Sequence, residues 1–93
     1  MAVLVKFFAN FRDATGKEQE EVKGFLDIAS LLGELTNRYG EKLERLLYSK
    51  NTRELREDVA IVINGKSVHT LGGLNTALKD GDVVAIFPPV AGG

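Results

Sequence analysis

The chain has no cysteine and no tryptophan, a single histidine and only two prolines among its 93 residues, and each shortage closes off some chemistry. Without cysteine there is no disulfide, no thiolate metal ligand and no side-chain thiol to attack a substrate or carry a persulfide. His69 stands alone, so the His and Cys groupings that hold zinc are not available; no metal is expected, and the residue reads as an ordinary loop histidine. The letters of a Ser-His-Asp triad occur without a supporting motif. Neither charge is in excess, since 12 Lys and Arg face 13 Asp and Glu for a formal net charge of -1. Phosphate recognition needs a local surplus of cations, and no basic run exceeds two residues, so nucleic acid is not an expected partner. The apolar runs fall far short of the roughly 20 residues that cross a bilayer, and the N-terminus lacks the charged-then-apolar layout of a secretory signal. The expectation is a cytoplasmic protein with no membrane partner.

What is present is a balanced globular composition, 44% hydrophobic and 27% charged, which excludes both a disordered and a fibrous chain. A chain this short buries only about 60 to 65% of its unfolded surface. A deep enclosed active site would compete with the core for the same side chains.

Ala2 to Ala9 alternates, with Val3, Val5 and Phe7 on one face and Leu4, Lys6 and Phe8 on the other, the period of a strand. Asn10 to Lys17 carries Asn, Asp and Gly and reads as a connecting turn, and the polar Glu18 to Lys23 reads as an exposed strand beside the first. Asp27 is placed to cap a helix whose Ile28, Leu31, Leu32, Leu35 and Tyr39 form one apolar stripe, and Gly40 stops it. Glu41 to Leu47 predicts a short second helix, and the polar Ser49 to Asp58 a loop. Val59 to Ile63 is a β-branched run ending in Asn64-Gly65, the pair that favours a type I′ hairpin turn. Lys66 to Val68 returns as a short strand, His69 to Leu78 reads as a loop with one helical turn, and Asp80-Gly81-Asp82 launches the last strand, Val83 to Phe87. Two strands, one packing helix and mainly antiparallel strands after it make an α+β order, the β-grasp: a mixed sheet of about five strands with one main helix across one face. Residues 1–87 are expected to form this single domain and residues 88–93 an extended, flexible C-terminal tail.

That tail, Pro88-Pro89-Val90-Ala91-Gly92-Gly93, is chemically specific. Proline has no amide hydrogen, so Pro88 and Pro89 cannot continue a central ladder, and Phe87 before them is held extended. Fully stretched, six residues reach roughly 20 Å, enough to carry the terminal carboxylate into another protein's active site. Gly92 and Gly93 pass where a Cβ would not.

Together with the Val5-Lys6-Phe7-Phe8-Ala9 strand and Arg12, the Leu31-Leu32-Leu35 helix, Val62-Ile63-Asn64-Gly65 and the block from Leu78-Lys79-Asp80-Gly81-Asp82 to Phe87-Pro88-Pro89, the tail makes the chain resemble the ubiquitin-like sulfur carriers. The likeness is to molybdopterin synthase small subunits and the small archaeal modifier proteins; the thiamine sulfur carriers share the terminal Gly-Gly but usually lack the double-proline exit. The resemblance implies a carrier and not an enzyme. An E1-like partner would use ATP to adenylate the carboxylate of Gly93, and a sulfur donor would convert it to a thiocarboxylate. The tail would then insert into a molybdopterin synthase large subunit. The alternative is attack on the activated Gly93 by a target-protein lysine, giving an isopeptide bond, and a third reading is a plain β-grasp binding domain whose tail does no chemistry. The resemblance also places Phe87 outward beside Phe8, with Val84 and Ile86 inward, as a partner-binding pair to which Arg12 adds a polar rim contact. Ser67 stands where related synthase subunits often carry an apolar residue. No cofactor bound by this chain is expected, because its Gly pairs do not follow phosphate-loop spacing.

Overall fold

The computed structural model describes residues 2–24, 26–49, 52 and 54–88. The expectations placed on Pro89, Val90, Ala91, Gly92 and Gly93 lie outside these residues. The chain runs β1 (Ala2–Phe7), α1 (Asn10–Thr15), β2 (Gln19–Lys23), α2 (Ile28–Tyr39), α3 (Glu41–Leu47), β3 (Ala60–Ile63), β4 (Lys66–Ser67), α4 (Val68–Leu71), a 3-10 turn (Gly73–Asn75) and β5 (Val83–Phe87). The five strands form one mixed sheet in the order β2-β1-β5-β3-β4. Here β1 and β5 are parallel and central, and the β1–β2, β3–β5 and β3–β4 pairs are antiparallel. This is the β-grasp arrangement.

Period-2 alternation builds one side of the core. Val3, Val5 and Phe7 of β1, Val22 of β2, Ile61 and Ile63 of β3, and Val84 and Ile86 of β5 are buried, while their neighbours along each strand are more exposed. Helix α2 supplies the other side with Ile28, Leu31, Leu32 and Leu35, and α3 adds Leu43 and Leu47. Each fully buried aliphatic side chain of this kind stabilises the fold by about 1.5–3 kcal/mol. The Asp27 carboxylate accepts from the Ser30 hydroxyl at 2.7 Å and from the Ser30 N–H at 2.8 Å and so caps α2; the hydroxyl first and then the N–H hold its carboxyl below the usual range. Asn64 at φ 50° and Gly65 at φ 88° make the hairpin turn with both φ values positive, as a type I′ turn requires.

Two segments depart from expectation. Asn10 to Lys17 is not merely a turn: Asn10–Thr15 is helical, with Phe11 and Thr15 buried and Gly16 closing the helix in the left-handed conformation. The four-residue spacing of Phe11 and Thr15 outweighs the polar letters between them, because both side chains reach the core from one helix face. Val68 starts a one-turn helix instead of extending the return strand, and His69 belongs to that helix rather than a loop. The Ser67 hydroxyl accepts from the His69 N–H at 3.3 Å, and the His69 ring Nε2 donates to the Val59 carbonyl at 3.1 Å.

Candidate functional site

The parallel pairing of β1 with β5 decides which side chains meet. Leu4 is level with Val83, Lys6 with Ala85 and Phe7 with Ile86, so the next residue of each strand, Phe8 and Phe87, also come level. Both belong to the alternation set that points away from α2. Their rings stack with centroids 4.4 Å apart and planes 11° apart, and both residues are half-buried. An aromatic pair of this kind is worth about 0.5–1.5 kcal/mol beyond its buried area, and each ring keeps surface open to a partner. The same open face carries Leu4, Val62, Val83 and Ala85, all half-buried, with Lys6 level with Ala85, so the aromatic pair ends an apolar row along β5 flanked by one lysine.

The backbone around Phe8 is tied on both sides. Its N–H donates to the Ile86 carbonyl at 3.2 Å, and its carbonyl accepts from the Phe11 N–H at 3.1 Å. Between Phe8 and Phe11 the chain turns through Ala9 at φ 51° and ψ −122°, the first central position of a type II′ turn, where glycine is usual. Positive φ on an L-residue with a Cβ costs about 1–3 kcal/mol. The Ala9 carbonyl accepts from the Asp13 N–H at 3.2 Å and thereby starts α1.

Arg12 lies on α1, exposed, with its guanidinium 4.0 Å from the Glu18 carboxylate. The Glu18 carbonyl in turn accepts from the Phe7 N–H at 2.9 Å, so Arg12 stands at the Phe8 end of β1. An ion pair this open is worth little, which leaves the guanidinium available to a partner. β5 ends at Phe87, and Pro88, half-buried, is outside the strand. The stacked pair therefore sits at the root of the terminal segment.

A second polar group works on the opposite side of the sheet. Glu20 of β2 accepts from the Tyr39 hydroxyl at 2.7 Å and from Lys17 Nζ at 3.0 Å, and Arg38 Nη1 lies 3.3 Å away. Burial pushes the Glu20 carboxyl up, but the Tyr39 hydroxyl, the Lys17 ammonium and Arg38 together bring it below its ordinary value. Burial and the Glu20 carboxylate raise Tyr39. These contacts pin β2 to α2. A broad groove between α3 and residues 54–58 shares no lining residue with the aromatic pair. Its walls satisfy part of their charge internally, through Arg45 with Glu41 at 2.9 Å and Arg56 with Asp58 at 2.7 Å.

The structure thus brings Phe8 and Phe87 together as anticipated and puts Arg12 at the same end of the sheet. Sequence reasoning did not single out Ala9, and no residue-type signal marks it. It also did not assemble the apolar strip of Leu4, Val62, Val83 and Ala85, which the alternation of each strand contains but only the register combines.

The chain is similar to known proteins over nearly its whole length. A family model described as the ThiS family matches residues 5–93. Small archaeal modifier protein 3 of Haloferax volcanii is 36% identical over 95 residues and covers all of both chains. The sulfur carrier protein CysO of Mycobacterium tuberculosis is 33% identical over 93 residues, again covering both completely. Among solved structures, a chain of the Amycolatopsis orientalis BexX/CysO complex superposes with a TM-score of 0.82 at 29% identity, covering 98% of this chain and 99% of that one. A putative molybdopterin converting factor subunit 1 from Pyrococcus furiosus gives 0.73 at 35% identity, with 96% and 98% covered.

Proposed function

The chain belongs to the ThiS family, and from that membership we propose that it is a ubiquitin-like carrier whose reactive group is the carboxylate of Gly93. The observation that carries the reading is the stacked Phe8–Phe87 pair at the root of a segment ending in Gly92-Gly93, in a chain with no cysteine. A partner grips the aromatic pair, and residues 88–93 span the distance to a remote active site. An aromatic cluster that is partly open and rigidly held is the usual form of an interface anchor.

A free carboxylate is a poor acyl donor, so the first step is activation. A Gly93 carboxylate oxygen attacks the α-phosphorus of ATP on an E1-like partner, pyrophosphate leaves, and a mixed anhydride with AMP forms. Hydrosulfide attacks the carbonyl carbon, the bond to AMP breaks, AMP leaves and the thiol proton goes to solvent, so that sulfur stays on the terminal carbon as a thiocarboxylate with no change of oxidation state. The chain itself supplies no catalytic side chain; it is the co-substrate. Likeness to the sulfur carrier CysO supports sulfur carriage, and likeness to molybdopterin converting factor subunit 1 supports a pterin acceptor held by a molybdopterin synthase large subunit. Likeness to small archaeal modifier protein 3 supports the second reading, in which a target lysine amine attacks the same anhydride and an isopeptide bond forms. The proposed place of work is the cytoplasm.

Deletion of Gly92-Gly93, or one residue added after Gly93, tests the activated tail. Both changes are expected to abolish adenylation by the E1-like enzyme, read as ATP–pyrophosphate exchange, with an unchanged thermal melt. An acyl adenylate on the truncated chain, or full function in the extended one, refutes the reading and leaves a plain binding domain. Intact mass of the protein from its native cells separates the two fates. Replacement of one oxygen by sulfur marks the carrier, and the peptide of residues 80–93, left on foreign lysines when trypsin cuts after Lys79, marks the modifier.

A further inference from the structure

Among Asn10, Asn37, Asn51, Asn64 and Asn75, only Asn64 is followed by a glycine. Glycine has no side chain to shield its amide nitrogen, so the Gly65 nitrogen is open to attack Cγ of Asn64. A bond from nitrogen to Cγ forms, the bond from Cγ to Nδ2 breaks, ammonia leaves with the Gly65 amide proton, and a succinimide ring remains. Water then opens the ring to an aspartyl or isoaspartyl group. An amide has become a carboxylate with no change of oxidation state, and solvent supplies the water, since Asn64 and Gly65 are both exposed. The turn itself selects this reactive pair: φ of 50° and 88° at its two central residues suits Asn followed by Gly above other choices.

In the folded chain the Asn64 carboxamide is held at both ends by the start of β5. Its Nδ2 donates to Asp82 Oδ1 at 2.8 Å, and its Oδ1 accepts from the Val83 N–H at 2.9 Å. Asp82 is fixed in turn, because its Oδ2 accepts from the Lys79 N–H at 2.8 Å and its N–H donates to the Lys79 carbonyl at 3.1 Å. Ring closure needs Cγ to swing onto the Gly65 nitrogen, which breaks both side-chain bonds.

We infer that Asn64-Gly65 is a deamidation site that the fold keeps closed and that does not close again once it has reacted. Local opening of the turn frees the side chain, and the reaction then replaces a donor by an acceptor. The new carboxylate faces Asp82 Oδ1 where Nδ2 had donated, so two acceptors and two like charges meet within hydrogen-bond reach. The clamp between the hairpin turn and β5 is thereby lost in one direction only.

The test follows deamidation in the full-length chain and in a free peptide of residues 59–68, in one neutral buffer, by peptide mapping; exchange of the amide NH2 for OH marks position 64. The folded chain is expected to react at least about 10-fold more slowly than the peptide, the factor given by an opening free energy of about 1.4 kcal/mol. Asp82→Ala removes the acceptor, and under conditions where it remains folded its rate should move toward that of the peptide. Asn64→Asp, which mimics the aspartyl product, should lower the urea midpoint. Asp82→Asn should lower it too, since a single amide oxygen cannot accept from both Asn64 and Lys79. The double variant exchanges amide and acid across the same hydrogen bond and should regain most of the loss. Equal rates in the folded chain and the peptide, or the wild-type rate in folded Asp82→Ala, would overturn the closed site. Additive losses in the double variant would overturn the one-way step. Should Asn64→Asp not fold, recovery of folding in the double variant supports that step, and failure of both overturns it.

Discussion

Phe7 and Phe8 are adjacent in sequence and opposite in fate. Phe7 is fully buried and meets the Tyr39 ring edge-on at 6.1 Å and 76°, inside the layer between sheet and helix. Phe8 is half-buried and lies flat on Phe87 at the far face. One residue step in a strand reverses the direction of the side chain, so the same amino acid serves stability on one face and recognition on the other. The covered face is held by many contacts that cannot be removed cheaply. The open face depends on two rings, a short turn and the strand register.

The contrast can be broken by substitution. Phe7→Ala is expected to destabilise the fold by about 3–5 kcal/mol, seen as a large fall in the urea midpoint; a loss below ~1 kcal/mol would show that the covered face repacks freely. Phe87→Ala and Phe8→Ala should weaken partner binding by about 1–4 kcal/mol and change stability by less than Phe7→Ala does. Melting curves run beside binding titrations decide between the two faces, because unchanged affinity with a strongly lowered melting temperature would assign these rings to the core. Deletion of the terminal glycines should leave both faces intact and remove only the chemistry.

A smaller effect sharpens the comparison on the covered side. The folded-state pKa of Glu20 is lowered, so its carboxylate contributes stability that is fully present above the ordinary carboxylate range and is lost as pH falls through the lowered value. Glu20→Gln should flatten the fall of the urea midpoint as the protein is acidified below about pH 4.5, while leaving the Phe8–Phe87 face and its partner affinity unchanged. An identical acid limb in the variant would mean that other carboxylates carry the acid sensitivity. Tyr39→Phe, which removes the hydroxyl that bonds Glu20, should cost about 1–2 kcal/mol near neutral pH.

Much of the fold was legible because its signals are local. The 3-4 spacing from Ile28 to Tyr39, the Asp27 cap, the Asn64-Gly65 turn and the alternation of Val83 to Phe87 each need only neighbouring residues, and the strands and main helix stand where those signals put them. Asn10–Thr15 was less legible, since its stabilising contacts are the tertiary burials of Phe11 and Thr15, and six residues of weak periodicity do not outweigh an Asn, an Asp and a following Gly. The candidate site divides in the same way. Phe8 and Phe87 could be named from alternation and resemblance, whereas Ala9 carries no turn-forming residue type, and its positive φ arises only because Phe8 and α1 are both fixed elsewhere.

By itself, then, the chain's sequence determined the chemistry that is possible. The absence of cysteine removes disulfide and thiolate chemistry, and the run Pro-Pro-Val-Ala-Gly-Gly at 88–93 makes the carboxylate of Gly93 the group to propose. These are properties of residue type and order. Only the tertiary structure decided where that chemistry is presented: the parallel register of β1 and β5 sets Phe8 level with Phe87 across some 80 intervening residues of sequence, about 5 Å apart strand to strand. Burial of Val5 and Phe7 of β1 together with Val84 and Ile86 of β5 selects that register, and neither strand alone specifies its partner.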